Sequence, residues 1–271
     1  MRFLNKREID MKMKKFLKYL TCETLSLLLV FTFGFNGASA QSLMEKKDDK
    51  AKDATEMVQT VRSHVPTQPI VSQGTLIIRA PKAKTRYVPI RFGVIPVDSR
   101  SWESVYETAL ETGTQERLLI RFSVDKPNEY TLSRKAEGEK EWTELKLKGG
   151  VDTAISFAGT DFWICDLGLE FLQWSQQSML KREMRKGRAC RVLESIPAEW
   201  ADPVYARVVS WVDNETDGIV MAQAFNEKRK RVKEFEVQSF KKVEGVWQLK
   251  RMTIYNNLTD SRTTLEIDLE I

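Results

Sequence analysis

The end of the chain alternates strictly: Leu265, Ile267, Leu269 and Ile271 are apolar, and Glu266, Asp268 and Glu270 between them are charged. Successive side chains of a β-strand point to opposite faces, so this segment reads as a strand with one dry face and one wet one. Such strands belong to antiparallel sheets covered on one side. The same texture, β-branched and aromatic residues bounded by turn formers, recurs upstream at 179–184, 188–196, 206–212, 219–225, 231–243 and 246–256. The linkers between these segments are short, which makes sequential strands neighbours in an antiparallel meander.

The first half carries weaker versions of the pattern. Ala54, Met57, Val58, Val61 and Val65 recur at three- and four-residue spacing, which predicts a helix over 43–65 that ends at Pro66. Strands are expected at 74–79, 86–94, 102–110, 118–124, 130–135 and 142–147. Between the two strand-rich halves, residues 165–174 read as a short apolar helix after Gly159, fit to act as a lid, with Asp161 and Asp166 as its N-terminal capping groups. The expected fold is α+β, mainly antiparallel β. It is a curved, unclosed barrel of about ten or eleven strands with an N-terminal helix and a short lid helix, because a sheet of that width curls. Its apolar inner face must then be filled by side chains, by helices or by a ligand.

Residues 1–40 are read apart from the fold. Lys12, Lys14, Lys15 and Lys18 precede an apolar run at 25–35, and Ala38, Ser39 and Ala40 form a small-residue cleavage site, which predicts a secretory signal cut after Ala40. The run is short of the roughly 20 apolar residues of a membrane span. Seven of the 43 Lys and Arg and three of the 38 Asp and Glu lie in this segment, leaving 36 basic and 35 acidic residues and a net charge of +1. The basic pI therefore belongs mostly to the export signal, and with it goes the pointer to nucleic acid. Residues 41–271 are expected to form one domain and to work as a monomer in the periplasm. Cys165 and Cys190 are the two thiols left in that stretch. An oxidising compartment favours a disulfide between them, and two buried thiols are the alternative.

Catalytic arrangements are scarce. His64 is the one histidine and sits at the end of a helix, where a solvated or capping role is the ordinary one. No nucleophile elbow, phosphate-binding glycine loop or paired metal-ligand spacing is present, so the sequence points to no enzyme, metal or cofactor. Two basic clusters, one at 181–191 and one from Lys228 to Lys233, read as solvated hairpin tips; docking to anionic headgroups or an acidic partner is the other reading. Aromatics spread over many strands suggest an acyl-binding groove, for which the candidates are Trp102, Tyr106, Phe122, Trp211, Phe225 and Phe235.

Several short segments carry a resemblance. These are 159–162 (Gly-Thr-Asp-Phe), 205–213 from Tyr205 through Trp211 to Asp213, 232–235 (Val-Lys-Glu-Phe), Met252, and 264–267 (Thr-Leu-Glu-Ile). In this order and spacing they resemble the C-terminal pattern of outer membrane lipoprotein-sorting proteins over about residues 155–271, and residues 54–79 fit the same architecture more weakly. The family is similar to the periplasmic lipoprotein carrier, an unclosed β-barrel plugged by helices. The resemblance implies carriage of lipid or lipoprotein acyl chains toward the outer membrane, with an inner-membrane exporter or outer-membrane receptor as partner. A module that senses lipid or lipoprotein and regulates a membrane partner is the alternative. The arginine that holds the carrier's lid shut has no matching position here, so no site residue is transferred.

Overall fold

The computed structural model describes residues 45–109, 113–198, 204–243 and 246–269. The export signal and its cleavage site, the end of the expected strand at Leu110, and Glu270 and Ile271 lie outside the described residues. Helix α1 runs over Glu45–Ser63 and is followed by six strands: β1 (Ile70–Arg79), β2 (Arg86–Asp98), β3 (Ser101–Thr108), β4 (Gln115–Ser123), β5 (Glu129–Lys135) and β6 (Thr143–Leu147). A connecting segment then carries a 3₁₀ turn at Gly150–Thr153, helix α2 (Ile164–Leu167) and a second 3₁₀ turn at Glu170–Gln173. Seven strands complete the chain: β7 (Gln176–Arg185), β8 (Arg188–Ile196), β9 (Arg207–Asp213), β10 (Ile219–Phe225), β11 (Arg231–Val243), β12 (Val246–Asn256) and β13 (Ser261–Ile267).

All thirteen strands form one antiparallel, unclosed sheet in the order β6-β5-β4-β3-β2-β1-β13-β12-β11-β10-β9-β8-β7. The sheet is wider than the ten or eleven strands expected, because two meanders are joined edge to edge. The seam is β1 against β13, in register from Gly74 opposite Ile267 to Arg79 opposite Arg262. A Cβ on Gly74 would stand 2.3 Å from the Glu266 carbonyl oxygen, so the seam closes at that point only around a glycine.

This order fixes what the connecting segment does. Strands β6 and β7 are the two edges, so residues 148–175 must cross from one side of the sheet to the other. They cross over the inner face as a strap, burying Phe157, Phe162 and Ile164 against Leu76, Val88, Leu118, Leu132, Ile254 and Leu265. Its second half buries Cys165, Phe171 and Leu172 with Leu193, Val208 and Val212 and with Ala54, Met57 and Val58 of α1. The C-terminal end of α1 reaches the other meander, where Arg62 Nη2 donates to the Ser123 carbonyl at 3.3 Å. Burial lowers the pKa of that guanidinium, against the pull of Asp125.

The expected disulfide is absent. Both cysteines are buried free thiols. Cys165 packs under the strap on the inner face, whereas Cys190 packs with Val192, Val209, Trp211, Val220 and Met221 on the outer face. The thickness of the sheet separates the two side chains, and a disulfide needs Cα atoms within about 7 Å and Cβ vectors that face each other.

Candidate functional site

After its first 3₁₀ turn the strap makes a two-residue hairpin turn. Ala158 and Gly159 both have left-handed backbone, at φ 54° and 64°, between Phe157 and Thr160, which suits a type I′ turn. Gly159 also makes room for Arg86: a Cβ there would lie 3.2 Å from its guanidinium, which donates to the Ala158 carbonyl at 3.3 Å. The Ala158 N–H donates to Glu116 Oε2 at 2.7 Å, and Glu116 is held in turn by Arg134 at 2.9 Å.

Beyond the turn the strap is latched by a buried cation. Lys233 of β11, whose side chain is 3% exposed, donates from Nζ to the Asp161 carbonyl at 2.7 Å and to Asp166 Oδ2 at 2.8 Å. Its ammonium lies 3.6 Å from the centroid of the Trp163 ring, which stacks at 5.8 Å on Tyr205. A desolvated cation over an indole contributes about 2 kcal/mol. Burial lowers the Lys233 pKa, and the Asp166 carboxylate opposes that shift. The Tyr205 hydroxyl donates to Asp166 Oδ1 at 2.7 Å, and burial pushes the pKa of its phenol well up. Asp166 also accepts from the Trp163 N–H at 2.8 Å, as the capping role expected of it requires. Asp161 does something else: its carboxylate accepts from Ser261 and from Thr263 at 2.8 Å, which ties the strap to β13. Further along, Glu170 accepts from Thr153 Oγ1 at 2.6 Å and from the Gly150 N–H at 3.0 Å, while burial raises its pKa.

The inner face itself is aromatic where the first meander meets the strap. Trp102 stacks on Phe122 at 5.1 Å, Phe92 on Tyr106 at 6.3 Å, and Tyr106 meets the edge of the strap's Phe157 at 6.3 Å. Phe92, Trp102, Tyr106 and Phe122 are all partly exposed. Desolvation pushes the Tyr106 pKa up to about 12.

Of the six aromatic candidates, Trp102, Tyr106, Phe122 and Phe235 share this face. Trp211 and Phe225 do not. They belong to the outer-face cluster, where Arg185 lies 5.6 Å over Trp211, whose indole N–H donates to Glu183, and Arg207 lies 5.0 Å over Phe225. Phe92 was missed as a candidate, although it alternates in phase with Val88 and Ile90 of β2. Lys233 was missed as a latch, having been grouped with the hairpin tip beside it. In the other basic cluster, Lys181, Lys186, Arg188 and Arg191 each pair with an acid, Glu183, Glu236, Asp213 and Asp217 respectively. That favours the structural reading of this hairpin over docking. Among the described residues no three His, Cys, Asp or Glu group to hold a metal, and no helix is long and apolar enough to cross a membrane.

An open antiparallel sheet whose apolar face is roofed by a polar-latched strap is a fold this chain shares with several solved structures. The solved structures it resembles include a domain classed as an outer membrane lipoprotein-sorting protein from Vibrio parahaemolyticus, with TM-score 0.66 and 17% identity over 81% of this chain and 92% of that one. A DUF1329 family protein from Desulfovibrio piger superposes with TM-score 0.65 and 17% identity, over 81% and 91% of the two chains. A LolA superfamily protein from Nitrosomonas europaea does so with TM-score 0.52 and 15% identity, over 81% and 92%. At these identities the likeness is one of fold. A protein-family model described as that of an uncharacterized protein matches residues 147–269, from the end of β6 through the strap and second meander. No protein of curated function matches the chain in sequence.

Proposed function

We propose that this protein is a non-enzymatic carrier that shelters lipid or lipoprotein acyl chains between its inner face and its strap and moves them through the periplasm toward the outer membrane. The observation that carries this reading is a contrast in chemistry: the covered face is aromatic and aliphatic, whereas the cover is fastened by Lys233, Asp166, Asp161 and Glu116. Apolar cargo then exchanges for the strap's own Phe157, Phe162 and Ile164, and the polar latch exchanges its bonds for water. Each buried methylene contributes about 0.8 kcal/mol, so acyl chains are held without polar recognition. Loading and release require partners that bind the open and closed states differently, in this reading an exporter in the inner membrane and a receptor in the outer one. The signal-like residues 1–40 and the likeness of fold to a lipoprotein-sorting domain support the reading. Native mass spectrometry with lipid extraction of the protein purified from the periplasm tests it. Lipid or lipoprotein recovered in stoichiometric amount is the expected result; a protein that arrives empty and refuses acyl probes would sink it.

A further inference from the structure

The outer face, away from the strap, holds a second arrangement. Arg79 of β1 stands directly opposite Arg262 of β13, and Arg262 directly opposite Tyr255 of β12. Like charges in facing positions of a ladder repel. Among the described residues neither guanidinium has an acidic partner. Two residues along the same strands, Thr264 and Thr253 face each other, 8% and 4% exposed, with their hydroxyls 2.9 Å apart. Two hydroxyls that share one hydrogen bond leave one O–H proton undonated. Arg251 forms the far wall and is bonded to Glu266 at 2.9 Å. Together these groups line a pocket of about 220 Å³.

Three guanidiniums line this pocket, and the carboxylates at its margin are each engaged elsewhere, Glu266 by Arg251, Glu236 by Lys186 and Glu234 by Arg231; with a buried hydroxyl pair that has a donor to spare, the lining is complementary to an oxyanion. Arginine forks take carboxylates and phosphates in bidentate geometry. A carboxylate has two oxygens, as does the phosphodiester of a phospholipid, too few for the Arg79 and Arg262 forks and the threonine donor at once, whereas a phosphate with at most one ester bond presents three or more. We infer that this pocket binds a phosphate group with at most one ester bond, free or as the phosphomonoester headgroup of a lipid. The site does not overlap the inner face, so it stands or falls independently of the carrier reading.

Titration calorimetry of the purified protein with inorganic phosphate, alongside flotation with phosphatidic acid vesicles, tests the inference and separates the two sources. Heat of binding to inorganic phosphate assigns a free anion; flotation without such heat assigns the headgroup. In either case R79Q/R262Q should weaken binding at least about tenfold, because charge-assisted hydrogen bonds are lost, and Thr264→Val should weaken it with the charges intact. The melting temperature of R79Q/R262Q should equal or exceed that of the parent, since the facing repulsion is relieved; this separates lost binding from lost folding. Should the double variant melt lower, Thr264→Val and Arg251→Gln decide by the same binding readout. Absence of binding in both assays, or binding that these variants leave unchanged, overturns the inference.

Discussion

Lys233 shows how much of the strap's attachment rests on single side chains. It stands in phase with Phe235 and Val237 on β11, so strand alternation turns it toward the dry face, where a cation costs several kcal/mol unless it is paired. Asp166, the Asp161 carbonyl and the Trp163 ring supply that pairing. Lys233→Met should therefore destabilise the protein by about 2–4 kcal/mol in urea unfolding, because the partly buried Asp166 carboxylate is left without its cation. K233M/D166L should recover part of that loss, since an apolar pair replaces the ionic one, and a double variant worse than the sum of the singles would contradict the latch. The legible signal in the sequence was the lysine's phase, and its proximity to Lys228–Lys230 concealed it. Glu170 adds a pH dependence of known sign. Burial holds its carboxyl above the ordinary value of 4.5, so the folded protein takes up a proton that the unfolded chain does not. The stability linked to this group is fully present below the unfolded pKa and is lost as pH rises through the folded one. Unfolding titrations should show a gain on acidification toward pH 4.5 that Glu170→Gln reduces; an identical slope in the variant would remove Glu170 from the account.

Elements were legible where one strand carries its own two-faced pattern. Strands β8, β10, β11 and β12 begin and end where alternation and turn residues place them, and α1 ends short of Pro66 as expected. What sequence could not supply was the partner of each sheet edge, because pairing of β1 with β13 joins residues almost two hundred positions apart and leaves no local mark. The individual strands were visible in the sequence, and the seam that unites them in one sheet was not. The expected helix at 165–174 is in fact α2 and a 3₁₀ turn, broken at Gly168 and at Leu169, whose φ of 48° is left-handed. The cysteine pairing failed on the same ground. A compartment argument says whether thiols can oxidise, but the face a strand residue occupies decides whether they meet, and Cys190 follows Val192 outward while Leu193 points in. Thiol titration of the unfolded, unreduced protein should accordingly count both Cys165 and Cys190 as free. Loss of both thiols, restored by reductant, would show that the strap and β8 come together in a way this arrangement does not allow.

For the molecule as a whole, the sheet separates two chemistries. The inner face is roofed by the strap's apolar side chains; the outer face carries the packed cluster of Trp211, Met221 and Cys190 and arginines laid over aromatic rings. Aromatic composition alone does not distinguish these roles, which is why four of the six candidate residues fall on one face and two on the other. A variant series across both faces distinguishes them. Trp102→Ala and Phe122→Ala remove one stacked pair from the partly exposed inner face and should weaken binding of a fluorescent acyl probe about tenfold each, through lost apolar contact area. Trp211→Ala should leave probe affinity unchanged while lowering stability by about 3–5 kcal/mol, the usual cost of emptying a buried aromatic site. Phe225→Ala, at a less buried position, should follow the same pattern with a smaller loss. The comparison is made at a temperature where every variant is folded, so that affinity and stability are read separately. If the outer-face variants lose the probe and the inner-face variants keep it, the cargo does not lie under the strap, and the latch on Lys233 closes over a core and not over a binding site.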